Sequence, residues 1–192
     1  MDSIQTSCPS WCSTLIHYQD MHLPFPSKKK EDSIYVVIET PRGSTNKYTF
    51  NPAFDGFELT KVLPFGTQFP LDFGFVPHTM GEDGQPIDAM VLMEYAVYPG
   101  TIVKCRCIGV IEAKQTEKGK PIRNDRLICV YEESPAYKEL KDVKKMNARL
   151  LEDIIHFFIY YNEMEGKKFT HLRTGNAEVA HRLIRKHIQR KK

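Results

Sequence analysis

From Ser33 onward the chain is punctuated by short apolar runs with the signature of strands. SIYVVIET (33–40) is β-branched and apolar. A polar turn leads to NKYTF (46–50), a second short strand, and FELTKVL (57–63) alternates and gives a third. DAMVLM (88–93) has the continuous apolar character of a buried strand. TIVKCRCIGVIEA (101–113) is a long strand opened by the Pro99-Gly100 turn, and RLICVY (126–131) is another. Between these two, KQTEKGKPIRND (114–125) reads as a polar loop.

The period then changes from two to about 3.6. In NARLLEDIIHFFIYYNEME (147–165), Leu150, Leu151, Ile154, Ile155, Phe158 and Ile159 recur at helical spacing, and Phe157 and Tyr161 widen the stripe. Asn147 is a natural cap for the start and Gly166 for the end. So broad an apolar face predicts deep burial, with His156 read as a core or interface histidine. Asn176 can cap a last helix whose Ala180, Leu183, Ile184 and Ile188 lie on one side, leaving a basic face in water. Strands first and helices last predict an α+β fold. At least five strands with helices over them predict a small closed β-barrel.

Composition narrows this picture. At 192 residues with 41% apolar positions, the chain can build one core. Residues 1–32, with LPFPSKKKED, read as an extended N-terminal arm, and 33–192 as a single domain. No run is long enough to span a bilayer, no signal-peptide pattern opens the chain, and five cysteines fit reduced thiols in a cytoplasmic protein. Cys8 and Cys12 in CPSWC have half a zinc pattern, but Cys105 and Cys107 would share one face of a strand and complete nothing. A net charge of +3 does not by itself imply nucleic acid. The basic end, RLIRKHIQRKK, reads better as a solvated helix face than as a nucleic-acid contact.

The chemistry concentrates in PHTMGEDGQPID (77–88), where Asp83 and Asp88 flank Gly-Gln-Pro. Taken alone, this is a turn. Together with IYVVIE, KY, YPGTIVKCRCIGVI, HFFIYY and GNAE, in that order, it resembles the soluble family I inorganic pyrophosphatases over about residues 33–181. That resemblance implies an OB-fold-like five-stranded barrel with flanking helices, Mg²⁺ (with Mn²⁺ a possible substitute), a pyrophosphate substrate hydrolysed to two phosphates, and a homo-oligomer, hexamer or dimer. Pyrophosphate is small and anionic, so hard cations held by carboxylates must bind its oxygens and activate a water. Carried over residue by residue, the resemblance puts metal at Asp83, Asp88, Glu39 and Asn124. It puts phosphate at Lys47, Lys61, Arg126 and Tyr161, with Lys47 and Tyr161 also counted as catalytic.

Other positions depart from the family pattern. Gln85 stands where the family places a carboxylate beside the nucleophilic water, a degenerate base position. Thr49, Gln115 and Asn124 are neutral where acids are expected. Phe69 and Phe73 replace tyrosines, and Asn162 replaces a lysine. Arg126 and Lys61 exchange one cation for another. Cations are mostly kept and anions mostly lost, which predicts hydrolysis with reduced turnover unless Glu82, Glu112, Glu117 or Asp125 reaches in. The alternative is a catalytically impaired relative that binds phosphate ligands or a protein partner.

Overall fold

The computed structural model describes residues 33–117 and 119–189. The arm expected over 1–32, with Cys8 and Cys12, lies outside the described residues. Nine strands are described: β1 (Ile34–Thr40), β2 (Asn46–Asn51), β3 (Gly56–Val62), β4 (Asp72–Val76), β5 (Ile87–Leu92), β6 (Ile102–Glu117), β7 (Lys120–Arg123), β8 (Arg126–Tyr131) and β9 (Phe169–Asn176). The helices are α1 (Ala148–Glu163) and α2 (Ala177–His187).

The pairing runs β1–β4–β5–β8–β6 and returns to β1, which closes a five-stranded barrel. Only the β5–β8 contact in this ring is parallel. The architecture is thus α+β, on an OB-fold-like barrel. Alternate side chains of β1 (Ile34, Val36, Ile38) join Val76, Ala89, Val91, Cys105, Cys107 and Leu127 inside it, and Ala180 and Ile184 of α2 pack on this cluster. The opposite faces of β5, β6 and β8, with Met90, Ile108 and Ile128, pack under Ile154, Phe158 and Tyr161 of α1. Cys105, Cys107 and Cys129 are free and buried, and the first two share a face as expected.

Both helices begin as the sequence suggests. The Asn147 side chain accepts from the amides of Arg149 and Leu150, and Asn176 accepts from Val179. Gly166 adopts φ 65°, and the Gly166 and Lys167 amides close back on the Glu163 and Asn162 carbonyls, a Schellman ending.

Five expectations are corrected. The strands at 46–50 and 57–63 stand off the barrel as a separate hairpin, β2–β3. The strand that completes the barrel is β4, unseen in the sequence because DFGFV lacks the alternation that marks a half-exposed strand, all five of its residues being buried. The polar loop at 114–125 is instead the end of β6 turning into β7. An edge hairpin faces water on both sides and so reads as a loop. The strand β9 went unseen for a related reason, since FTHLRTGN mixes buried and exposed positions without a clean period. Finally, of the two places read for His156, core or interface, the core is excluded: the residue is exposed, because α1 turns Ile154, Phe158, Tyr161 and Asn162 inward instead.

Candidate active site

A cleft of about 410 Å³ opens where the β2–β3 hairpin, the end of α1, the β4–β5 connection and the rim of the barrel meet. Its walls contain Glu39, Lys47, Lys61, Asp83, Gln85, Asp88, Asn124, Arg126 and Tyr161, all the candidates named from sequence. The departing positions Thr49, Phe69, Phe73, Gln115 and Asn162 line it too.

The acidic segment is held in place by its own backbone. The Thr79 hydroxyl donates to the Val76 carbonyl at 2.6 Å and accepts from the Ile87 amide at 2.9 Å, clamping the ends of β4 and β5 together. Within the turn, Gly81 N–H donates to the Gln85 carbonyl at 2.7 Å and Gln85 N–H to Asp83 Oδ1 at 3.1 Å. Gly84 sits at φ 79°, where a side chain would be strained. The chain after α2 docks on the same segment, with Met80 N–H bonded to the His187 carbonyl and Gln189 N–H to that of His78. Asp83 is therefore presented by a pinned loop and Asp88 by a barrel strand.

Asp88 lies beside Arg126 in the parallel β5–β8 register, and the guanidinium Nε stands 3.6 Å from its carboxylate. Arg126 is only 4% exposed. It lies over two neighbouring rings, Phe158 and Phe169, 4.3 and 4.8 Å from their centroids. Its terminal nitrogens reach the Asn124 carbonyl at 3.1 Å and Gln115 Oε1 at 3.5 Å, while Nε has no hydrogen-bond partner. Burial lowers its pKa, with Asp88 opposing. A planar cation held against aromatic rings at the cleft wall is well set to receive an anion.

The other two cations come from the hairpin. Lys47 and Lys61 face each other across β2–β3, and each ammonium sits 5.5 Å from the Tyr161 ring centroid. Lys61 also pairs with Glu165, just past the end of α1.

The carboxylates are crowded and desolvated. Burial pushes Glu39 up to about 7, against the Phe50 amide that donates to it at 2.8 Å, and the Asp88 charge raises it further. Burial likewise raises Asp88, against Arg126 and Lys47, with Asp83 adding to the rise. Carboxylates that raise one another in this way are relieved by a cation among them. Among the described residues, however, no group of three or more acidic, histidine or cysteine side chains converges as a ready metal cluster. Asp83, Asp88, Glu39 and Asn124 offer oxygen donors, the kind a hard cation takes.

Three of the acids expected to compensate for Gln85 are engaged elsewhere. Glu112 is bound by Arg123 at 2.8 Å and Arg173 at 3.0 Å. Asp125 accepts from the Ala113 amide at 2.9 Å and pairs with Arg123, so it is not a cleft ligand. Glu82 lies 3.9 Å from Lys186 on α2. The side chain of Glu117 lies outside the described residues. The acid missed from sequence is Glu165, which lines the cleft. Its place four residues after Tyr161 on the same helical face was the available signal.

A barrel whose rim gathers Lys47, Lys61 and Arg126 with Glu39, Asp83 and Asp88 in one cleft defines a protein suited to a multiply charged anion. The chain belongs to the inorganic pyrophosphatase family, whose model, described as "Inorganic pyrophosphatase", matches residues 36–192. It is 36% identical over 142 residues to an inorganic pyrophosphatase of Synechocystis sp., covering 74% of this chain and 82% of that one. With the inorganic pyrophosphatase of Saccharolobus solfataricus it shares 35% identity over 170 residues, 87% of this chain and 96% of the relative. The crystal structure of the Thermus thermophilus inorganic pyrophosphatase superposes with a TM-score of 0.79 at 31% identity, covering 86% of this chain and 94% of that one.

Proposed function

We propose that this protein is a divalent-metal-dependent inorganic diphosphatase that hydrolyses pyrophosphate to two phosphates, with turnover limited by Gln85. The carrying observation is the shared cleft: Lys47, Lys61, Arg126 and Tyr161 line the same space as Asp83, Asp88, Glu39 and Asn124. Arg126 would anchor one phosphoryl group through its guanidinium N–H groups, held over the Phe158 ring at the cleft wall. Lys47 and Lys61 would hold the other, with the Tyr161 ring beneath both ammoniums. Asp83 and Asp88, backed by Glu39 and the Asn124 amide oxygen, would hold Mg²⁺ or Mn²⁺. When bound, the ion would offset phosphate charge and acidify a water. Gln85 lines the cleft between the two aspartates in sequence and can orient a water, but it cannot accept a proton. Its amide in place of a carboxylate removes a contribution of about 10²–10⁴ in rate.

The chain is further read as a homo-oligomer acting in the cytoplasm, a placement supported by its free buried cysteines. No helix among the described residues is long and apolar enough to cross a membrane. A second reading, favoured by Gln85 alone, keeps the cleft as a binder of phosphate ligands without turnover.

Phosphate release from pyrophosphate, assayed with Mg²⁺ and with Mn²⁺, separates the two. We expect release above background by the wild type and a fall of at least about tenfold in Asp88→Asn. Tight binding with no release would select the second reading.

A further inference from the structure

The Lys61–Glu165 pair joins two elements that nothing in the barrel ties together. Lys61 stands on β3, in the hairpin outside the barrel, and Glu165 follows the last turn of α1, so the contact bridges the mouth of the cleft. Both side chains are partly shielded, at 32% and 20% exposure. The backbone at Glu165 is fixed, because its amide bonds the Asn162 carbonyl at 2.9 Å and the Schellman ending closes around it. On the other side, Lys47 and Lys61 are register partners whose ammoniums share the Tyr161 ring at 5.5 Å each. Two like charges over one ring repel unless an anion stands with them. Glu165 is the carboxylate paired with Lys61, and so does what a phosphoryl group would do there.

We propose that Glu165 is a resident competitor for the Lys61 phosphoryl subsite: its carboxylate holds the ammonium, is displaced when a diphosphate reaches across the cleft, and returns when the product leaves. Glu165 is then a positioning residue that acts through Lys61, weakening ground-state binding and easing release of the phosphate seated there. The inference rests on the reading of this cleft as a diphosphate site. It goes beyond that reading in giving a role to an acid that serves neither as metal ligand nor as base.

A structural role for the same pair predicts the opposite sign. If Glu165 only pinned the hairpin to α1, its removal would loosen the cleft and weaken binding. If it competes, its removal tightens binding. The test is calorimetric titration of the full chain with methylenediphosphonate, a non-hydrolysable diphosphate, in Mg²⁺ buffer. We expect Glu165→Gln to tighten binding about two- to fivefold, the range of a partly exposed ion pair. Glu165→Ala removes the same charge and leaves no amide to bond Lys61, so it should tighten binding by a similar factor. The melting temperature of each variant reports its folding. In a Lys61→Met background the gain should vanish, because the competed group is gone. Unchanged or weaker binding in both Glu165 variants, or an equal gain without Lys61, would overturn the proposal and leave the diphosphate site standing. Failure of the wild type to bind methylenediphosphonate would overturn the site itself, and the proposal with it.

Discussion

Arg126 carries more of the cleft than any other side chain, and its neighbours explain why. It is buried against Phe158 and Phe169, bonded to a carbonyl, and set beside Asp88. Hydrogen bonds to a charged group contribute about 1.5–3 kcal/mol. Arg126→Met should therefore weaken diphosphate binding roughly 10- to 100-fold, as measured by calorimetry. Arg126→Lys keeps the charge but loses the planar stack, and should stay within about tenfold of the wild type. Equal losses in both would mean that the planar guanidinium against the rings, not the charge, does the holding. The candidate residues were legible in sequence because phosphate chemistry needs particular groups, and Lys47, Arg126, Asp83 and Asp88 keep them. Glu165 was only half legible: its spacing from Tyr161 marks the face it shares, but its pairing with Lys61 depends on where β3 lies in space.

At the scale of elements, what could be read depended on the environment of each face. Strands with one recognisable pattern, such as β1, β5, β6 and β8, were visible in the sequence, as were both helices with their asparagine caps. The strand β4 was hidden by complete burial, and β7 and β9 by partial exposure on both sides. The concealed strand has a strict requirement at Gly74. A Cβ built there would stand 1.9 Å from the Val37 carbonyl oxygen and 2.9 Å from Ile38 Cα, both backbone atoms of the paired strand β1. Neither can move aside without opening the barrel next to Glu39. Overpacking of this kind costs about 1–3 kcal/mol, so Gly74→Ala should lower Tm by about 2–12 °C. An unchanged Tm in thermal unfolding would show that β1 and β4 are not so closely apposed.

At the scale of the molecule, the barrel supplies Glu39, Asp88 and Arg126 from three of its strands, while the hairpin and α1 bring Lys47, Lys61 and Tyr161 over them. Family membership accounts for this assembly. The neutral residues at positions 49, 85, 115 and 124 stand where the resemblance leads one to expect acids. Of the acids that sequence offered as replacements, Glu112 and Asp125 are held by Arg123, with Arg173 on Glu112 as well. Glu82 lies beside Lys186, and the Glu117 side chain lies outside the described residues. The missing proton acceptor is therefore proposed to be at Gln85. Phosphate release from pyrophosphate in Mg²⁺, measured side by side for the wild type and Gln85→Asp, tests this most directly. Slow, metal-dependent release by the wild type and a rise of at least about tenfold in the variant are the expected result. Absence of release from both proteins, or a variant no faster than the wild type, would contradict it.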